Sequence, residues 1–463
     1  MFEDIPVEVG VVHEGERIRR KDMYLELGGP DVKEKFELVR VLTPDKIEDG
    51  KIQVIGPDLS QMGEGTSNPF GILIEVAGPK LEEAIEGVLE RRIHEFSNYL
   101  QGVMHLNQRY DIWIRISKRA FAKGLNSFTF VGKVLLTLFK NELPIIEKMQ
   151  VTFLTDPFRV EEIYREARKI YDERDARARG LTDDEVDTFY GCALCQSFAP
   201  SHICVITPQR YANCGAISWF DGRAAASIDP KGPIFPIEKG ECLDPVRGEF
   251  SGVNESAKNK SLGEINQIYL YSAFGRPHTS CGCFEGIAFY IPEVEGFGIV
   301  HRRFPDPTVN GLPFSTMADS TAGGRQVEGF HGISLEYMRS PRFLQADGGY
   351  RAVVWMPSEI KERMKENIPA DIYDKIATEK DVSTLESLRA FLEEKKHPVV
   401  QRWKKELVAE PVPEGGLQVF TAREVPITQG GIRIILKNAR ITAEKVILQP
   451  LRPQKPKKGE GRG

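Results

Sequence analysis

Residues 191–215 read G-C-A-L-C-Q-S-F-A-P-S-H-I-C-V-I-T-P-Q-R-Y-A-N-C-G and place Cys192, Cys195, Cys204 and Cys214 inside 23 residues. Structural zinc usually joins two tight C-x2–4-C knuckles, and here only the first pair fits. A [4Fe–4S] cubane needs one thiolate per iron and tolerates irregular spacing, so it is the favoured reading; zinc and unligated thiols stay open. Ala, Phe, Ile and Val between the cysteines would screen a cluster from water. Such a stretch predicts a domain built from loops around a metal.

Further along, residues 280–286 read S-C-G-C-F-E-G. Cys281 and Cys283 bracket the backbone nitrogens of Gly282 and Cys283. Two thiolates and two deprotonated amides make a flat N2S2 field, which suits Ni(II) or Cu(II) better than tetrahedral zinc. Glycine lacks the Cβ that would crowd a planar chelate. The bland alternatives are a chance C-x-C turn or two of zinc's four ligands. Cys242 stands outside the six and is expected to be a buried thiol that binds nothing. His202, between cluster cysteines, is expected to be satisfied locally rather than to serve the metal.

Outward from these motifs the chain divides by texture, and the expected class is α+β, multidomain, with mixed sheets, flanking helices and a loop-rich metal domain. Residues 1–180 should form an α+β domain. Within it 68–78 reads as a strand and 79–96 as a helix, with Pro79 in its first turn and Leu81, Ile85, Val88, Leu89 and Ile93 on one face. Residues 109–117 alternate as a half-buried strand, 149–154 as another, and 158–177 have helical period. Thr182-x-x-Glu185 is a capping box. Residues 181–410 should form the metal domain. From 191 to 350 helical periodicity is not visible, strands are expected at 265–273 and 286–291, and helices return from 357 to 403. A small β extension over 411–451, with three short strands, and a disordered basic tail over 452–463 complete the division.

With 463 residues, 41% of them hydrophobic, the chain is long enough for a sizeable core. A net charge of −5 signals neither nucleic acid nor a membrane surface. No apolar run is long enough to span a bilayer and the N-terminus carries no secretory pattern, so a cytoplasmic protein is expected. An odd, clustered set of seven cysteines argues for metal rather than a disulfide framework.

The two motifs together, G-C-A-L-C-Q-S-F-A-P-S-H-I-C-V-I-T-P-Q-R-Y-A-N-C-G and S-C-G-C-F-E, resemble the metal centre of the acetyl-CoA synthase family, most closely the archaeal β subunits of acetyl-CoA decarbonylase/synthase complexes. The resemblance covers roughly residues 1–410, without the large N-terminal domain of the bacterial members. It implies that Cys192, Cys195, Cys204 and Cys214 hold a [4Fe–4S] cluster and that Cys195 also bridges to a proximal nickel. Cys281, Gly282 and Cys283 would chelate a second nickel, and their sulfurs would bridge to the first. The implied activity is that of a CO-methylating acyltransferase, joining a methyl group, CO and coenzyme A into acetyl-CoA or cleaving it. A corrinoid iron–sulfur protein would donate the methyl group, and CO dehydrogenase subunits would be partners. Phe198 would crowd the open face of the proximal nickel.

Coenzyme A needs cations for its phosphates and an aromatic platform for adenine. Arg109, Trp113, Arg115, Lys118, Arg119 and Lys123 are crowded together, and family members carry an arginine-rich surface around a tryptophan before the metal domain. Arg109, Trp113, Arg115 and Arg119 are therefore the candidate CoA contacts, against a plain solvated basic strand. Residues 321–326, T-A-G-G-R-Q, form a glycine-rich turn able to approach the metal, though not a P-loop. The rival functions are an electron-transfer or scaffold subunit with one [4Fe–4S] cluster, which leaves C-G-C unexplained, and a zinc-stabilised binding protein.

Overall fold

The structure is a computed structural model that describes residues 2–106 and 109–406. The extension and tail expected beyond 410 lie outside these residues. In the first half the strands are β1 (Met23–Gly28), β2 (Lys35–Val41), β3 (Ile52–Ile55), β4 (Ser67–Asn68), β5 (Phe70–Ala77), β6 (Val103–Leu106), β7 (Trp113–Ser117) and β8 (Lys148–Leu154). They form two mixed sheets, ordered β4-β1-β7-β6 and β2-β5-β8-β3. Helices α1 (Glu86–Asn98), α2 (Lys118–Ala122), α3 (Phe128–Glu142) and α4 (Pro157–Ala178) flank them. The α+β class with mixed sheets is as expected.

Helix α1 begins later than the sequence suggests. Residues 79–82 go into a turn closed by Leu81 N donating to Gly78 O at 3.1 Å, and a 3-10 turn at Glu83–Ile85 precedes the helix, so Pro79 lies outside it. Ile85, Val88, Leu89 and Ile93 are buried as the periodicity implies, but so is every other residue from Glu86 to Asn98. Its polar groups are partnered internally. Glu86 accepts from Val41 N at 2.7 Å and Glu90 from Val39 N at 3.1 Å; Arg174 of α4 closes on both carboxylates. The strand expected over 109–117 is shorter at its start. Arg109 sits in the left-handed region at φ 57°, its side chain drawn into the interior, and only Trp113–Ser117 is extended.

The second half carries β9 (Thr188–Cys192), β10 (Cys204–Ile206), β11 (Ile234–Glu238), β12 (Cys242–Asp244), β13 (Glu249–Phe250), β14 (Gly286–Ile291), β15 (Gly296–His301), β16 (Phe330–Ile333) and β17 (Val353–Trp355). Its sheets are ordered β10-β9-β11, β12-β13 and β16-β14-β15-β17. Helices α5 (Trp219–Ile228), α6 (Ser251–Lys260) and α7 (Phe314–Thr321) interrupt the loops where no helix is expected. Alanine, glycine and serine dominate α5, so no apolar stripe announces it; a capping box from Ser218 to Asp221 starts it. Short helices α8 (Ser358–Arg363), α9 (Ala370–Tyr373), α10 (Leu385–Glu394) and α11 (Val400–Glu406) follow as expected.

Residues 265–273 are not a strand. Their amides donate to separate partners: Ile268 to Asn254 Oδ1 at 2.9 Å, Leu270 to Gly248 O at 3.2 Å and Tyr271 to Arg247 O at 3.0 Å. The apolar pattern there reflects burial without a ladder. The largest apolar cluster runs from Ile5 to Tyr271 and crosses residue 180 without a break. No helix among the described residues is long and apolar enough to cross a membrane.

Candidate metal centre

The first cysteine stretch leaves β9 at Cys192, winds through successive turns and returns as β10 at Cys204. Gln196 N donates to Ala193 O at 3.0 Å, Ala199 N to Cys195 O at 3.0 Å and His202 N to Ala199 O at 2.8 Å. Antiparallel pairing sets Cys204 directly opposite Cys192. Both thiols are buried. Burial pushes Cys192 well up, with the neighbouring Cys204 and Cys214 adding to it. Burial likewise raises Cys204, to about 11, against the pull of Arg210. Thiols buried this deeply are poor thiolates unless a cation is supplied, which is what a metal does.

The second stretch, just before β14, comes to meet the first. The sulfurs of Cys195, Cys281 and Cys283 lie within 4.8 Å of one another. Phe198 and Ala199 pack against these three cysteines. Gly282 has φ +131°, a conformation L side chains rarely adopt, and Cys283 N donates to Cys281 Sγ at 3.3 Å. The glycine-rich turn closes over the strip: Gly323 N donates to Cys281 O at 3.1 Å and Gly324 N to Ser280 O at 2.9 Å. A Cβ on Gly324 would lie 2.7 Å from His202 N, so only glycine permits this approach.

Three residues that the cysteine motifs did not signal complete the site. Arg91, fully buried on α1, donates from Nη2 to Cys195 Sγ at 3.2 Å and reaches Cys283 Sγ at 3.7 Å. Burial alone would pull its pKa down, but the thiolates of Cys195, Cys283 and Cys214 outweigh that and hold it well above the ordinary value. One turn along, His94 Nε2 stands 4.0 Å from Cys283 Sγ while its Nδ1 shares a 2.9 Å hydrogen bond with His105, which in turn pairs with buried Glu37. Asn213 knots the two cysteine stretches. Its N donates to Cys204 Sγ at 3.4 Å, its Nδ2 to Thr279 O at 3.1 Å, and its carbonyl accepts from Glu285 N at 3.0 Å. Of the converging thiols Cys283 ionises most readily, held down by hydrogen bonds from Cys195 and Cys281 and helped by the charge of Arg91.

The remaining candidates fall in different places. Half-buried Cys214 lines a small cavity together with Cys283. His202 Nδ1 shares a 2.9 Å hydrogen bond with the side chain of Thr279. Cys242, expected to be buried, is exposed, because β12 is the outer strand of its two-stranded hairpin and only Phe250 on β13 reaches the core. Trp113 and Arg115 share a face of β7, and both are pinned to Glu26; Arg115 lies 4.5 Å over the Trp113 ring. Arg109 is buried and paired with Asp175 at 3.0 Å. Arg119 is exposed on α2.

Three sulfurs close together, two of them buried, framed by a cation and a glycine at positive φ, mark a protein fit to hold soft metal ions through thiolates. Comparison with known proteins narrows this class. Residues 5–160 match the family "CO dehydrogenase/acetyl-CoA synthase complex beta subunit", and residues 171–404 match the family of C-terminal regions of the ACS/CODH beta subunit. The acetyl-CoA decarbonylase/synthase complex subunit beta of Methanothermobacter thermautotrophicus is 54% identical, over 97% of this chain and 100% of that protein. Its counterpart in Methanopyrus kandleri is 53% identical, over 96% and 97%. A solved C-terminal domain of an acetyl-coenzyme A synthase alpha subunit is 38% identical over 26% of this chain and 96% of that domain, with a TM-score of 0.24. The chain belongs to the family of acetyl-CoA decarbonylase/synthase complex beta subunits.

Proposed function

We propose that this chain is the acetyl-CoA synthase/decarbonylase of its complex, an acyltransferase that joins a methyl group, CO and coenzyme A into acetyl-CoA or runs the reverse. Family membership supports the activity, and the convergence of Cys195, Cys281 and Cys283 within 4.8 Å is the observation that carries the site. Cys192, Cys195, Cys204 and Cys214 are the proposed ligands of a [4Fe–4S] cluster. Cys281, Gly282 and Cys283 would hold one nickel ion as the proposed N2S2 chelate, and the sulfurs of Cys195, Cys281 and Cys283 would together hold a second. The residues fit such a group: Cys192, Cys195, Cys204 and Cys281 are buried, the sulfurs of Cys195, Cys281 and Cys283 are mutually close, and Gly282 adopts a backbone open to an unusual chelate. When bound, the nickel–iron–sulfur group supplies an open soft-metal position at which methyl and CO become neighbours.

The chain's own residues create the setting. Arg91 places a fixed positive charge against sulfurs that must remain anionic, in a site from which water is largely excluded. Phe198, packed into the same apolar cluster as the three cysteines, is the proposed residue that limits what can enter. His94, oriented by His105 and Glu37, stands 4.0 Å from Cys283 Sγ and would support it. The proposed donor is a methylated corrinoid iron–sulfur protein, and CO dehydrogenase subunits are the proposed partners. The methyl group leaves the corrinoid as a cation equivalent, so the corrinoid keeps the electron pair. The thiol of CoA loses its proton as the sulfur–acyl bond forms, and no external oxidant is needed. Trp113, Arg115, Arg119 and Arg109 stand as the sequence-derived candidates on the CoA side.

Label exchange tests the activity. The full chain, loaded with iron and nickel without oxygen, should exchange the carbonyl carbon of labelled acetyl-CoA with unlabelled CO. Metal-complete protein that releases no label contradicts the reading.

A further inference from the structure

We propose that Arg210 is a positioning residue for the iron half of the centre: a buried cation with no acid of its own, whose charge is met when the cysteines around it hold the proposed [4Fe–4S] cluster. The inference rests on the assignment of Cys192, Cys195, Cys204 and Cys214 to iron made above.

Arg210 lies between Cys204 and Cys214 in sequence, in a tight turn. Thr207 N donates to Arg210 O at 2.9 Å, and Arg210 N donates to Thr207 O at 3.2 Å. Its side chain is fully buried, and every acceptor it reaches is neutral. Nη1 donates to Val205 O at 3.2 Å; Nη2 donates to Asn213 Oδ1 at 2.9 Å and to His331 Nε2 at 3.0 Å. A ring nitrogen that accepts carries no proton, so His331 is uncharged. His278, stacked on His331, accepts from Val205 N through Nε2 at 2.8 Å and is uncharged for the same reason. Tyr337 offers the face of its ring, 5.2 Å from the guanidinium. Nε is left buried without a partner among the described residues.

A guanidinium keeps its charge when buried, and a buried charge without a countercharge is strongly destabilising. Elsewhere the chain obeys this rule with acids: Arg109 meets Asp175, and Arg174 meets Glu86 and Glu90. For Arg210 the nearest anionic company is sulfur. Asn213, which accepts from Arg210, donates its own backbone amide to Cys204 Sγ at 3.4 Å. Burial pulls the Arg210 pKa below the ordinary guanidinium value, and the Cys204 thiolate opposes that pull most. Arg91 bonds Cys195 and reaches Cys283, both in the sulfur trio, whereas Cys204 lies outside it. The two cations therefore serve different sulfurs. A cluster held by four thiolates gains negative charge on reduction, so a fixed cation beside it favours the reduced form.

Two variants of the full-length protein, loaded with iron and nickel without oxygen, cancel this charge in different ways. Arg210→Met deletes the guanidinium. Asn213→Asp leaves it in place and sets a carboxylate of nearly the same shape against it. At the wild-type midpoint, read by electron paramagnetic resonance during a redox titration, both should lower the ratio of reduced to oxidised cluster by on the order of tenfold. Arg210→Lys should recover most of that ratio. Iron loading should also raise the melting temperature less in both variants than in wild type. Iron-complete variants with the wild-type midpoint and the wild-type gain on loading overturn the proposal, and Asn213→Asp decides alone where Arg210→Met does not fold. Loss of iron from Arg210→Met but not from Arg210→Lys supports it; equal loss from both shows that shape, not charge, is what counts, and overturns it. Wild-type protein that takes up no iron overturns the cluster assignment on which the proposal rests.

Discussion

Arg91 shows how a single side chain can matter to sulfurs that lie 104 and 192 residues away in sequence. A fully buried guanidinium must have anionic company, and here the company is sulfur. Replacing it with methionine keeps the bulk and removes the charge. Arg91→Met should lower the potential at which the centre accepts an electron by on the order of 100 mV, the scale of a unit charge about 4 Å away in a medium of effective dielectric near 20. Arg91→Lys should recover part of the shift. A redox titration followed by electron paramagnetic resonance measures it, and an unchanged midpoint would show that the arginine is structural only. The six cysteines were legible because their spacing is a local pattern. Arg91 and His94 were not, because only the folded chain brings them to the sulfurs, and Asn213, although next to Cys214 in sequence, carried no sign of the bonds it makes to Thr279 and Glu285.

At the scale of elements, periodicity located what it can locate. Strands β5, β8 and β14 and helix α4 lie close to where alternation or helical period puts them. In α1 it identified the apolar face and no more. The polar face is equally buried, since Glu86, Glu90, Arg91 and His94 each meet a partner from another element. Helix α5 was invisible because small residues give no stripe, and 265–273 imitated a strand because buried apolar residues need not share a ladder. The turn between α10 and α11 carries a pH-dependent joint. His397 Nε2 bonds Val353 O at 3.0 Å, and burial pulls its pKa from 6.5 to about 4. The unfolded chain binds the proton first, so this contribution is complete above pH 6.5 and is lost as pH falls toward 4, at up to about 1.4 kcal/mol per pH unit. Urea unfolding at pH 7.5 and pH 5 should show a smaller acid loss for His397→Gln than for wild type. Equal losses would exclude His397 as a source of the acid sensitivity.

In the molecule as a whole, the centre is assembled from distant parts of the chain. Helix α1 supplies the cation, residues 192–214 one set of thiols, and residues 281–283 the strip that meets them. The apolar cluster from Ile5 to Tyr271 fixes α1 against the first set. Two short motifs made the chemistry legible at this scale, whereas the approach of Arg91 on α1 to the sulfurs depends on long-range packing, which no local pattern records. The central claim is a division of labour: Cys192, Cys195, Cys204 and Cys214 for iron, Cys281 to Cys283 for nickel. Elemental analysis of wild type and Cys281→Ser, both reconstituted without oxygen, tests it most directly. Wild type should hold two nickel per four iron, and Cys281→Ser should lose nickel while keeping its iron. Equal loss of both metals from the variant, or zinc in place of both in wild type, would contradict the account.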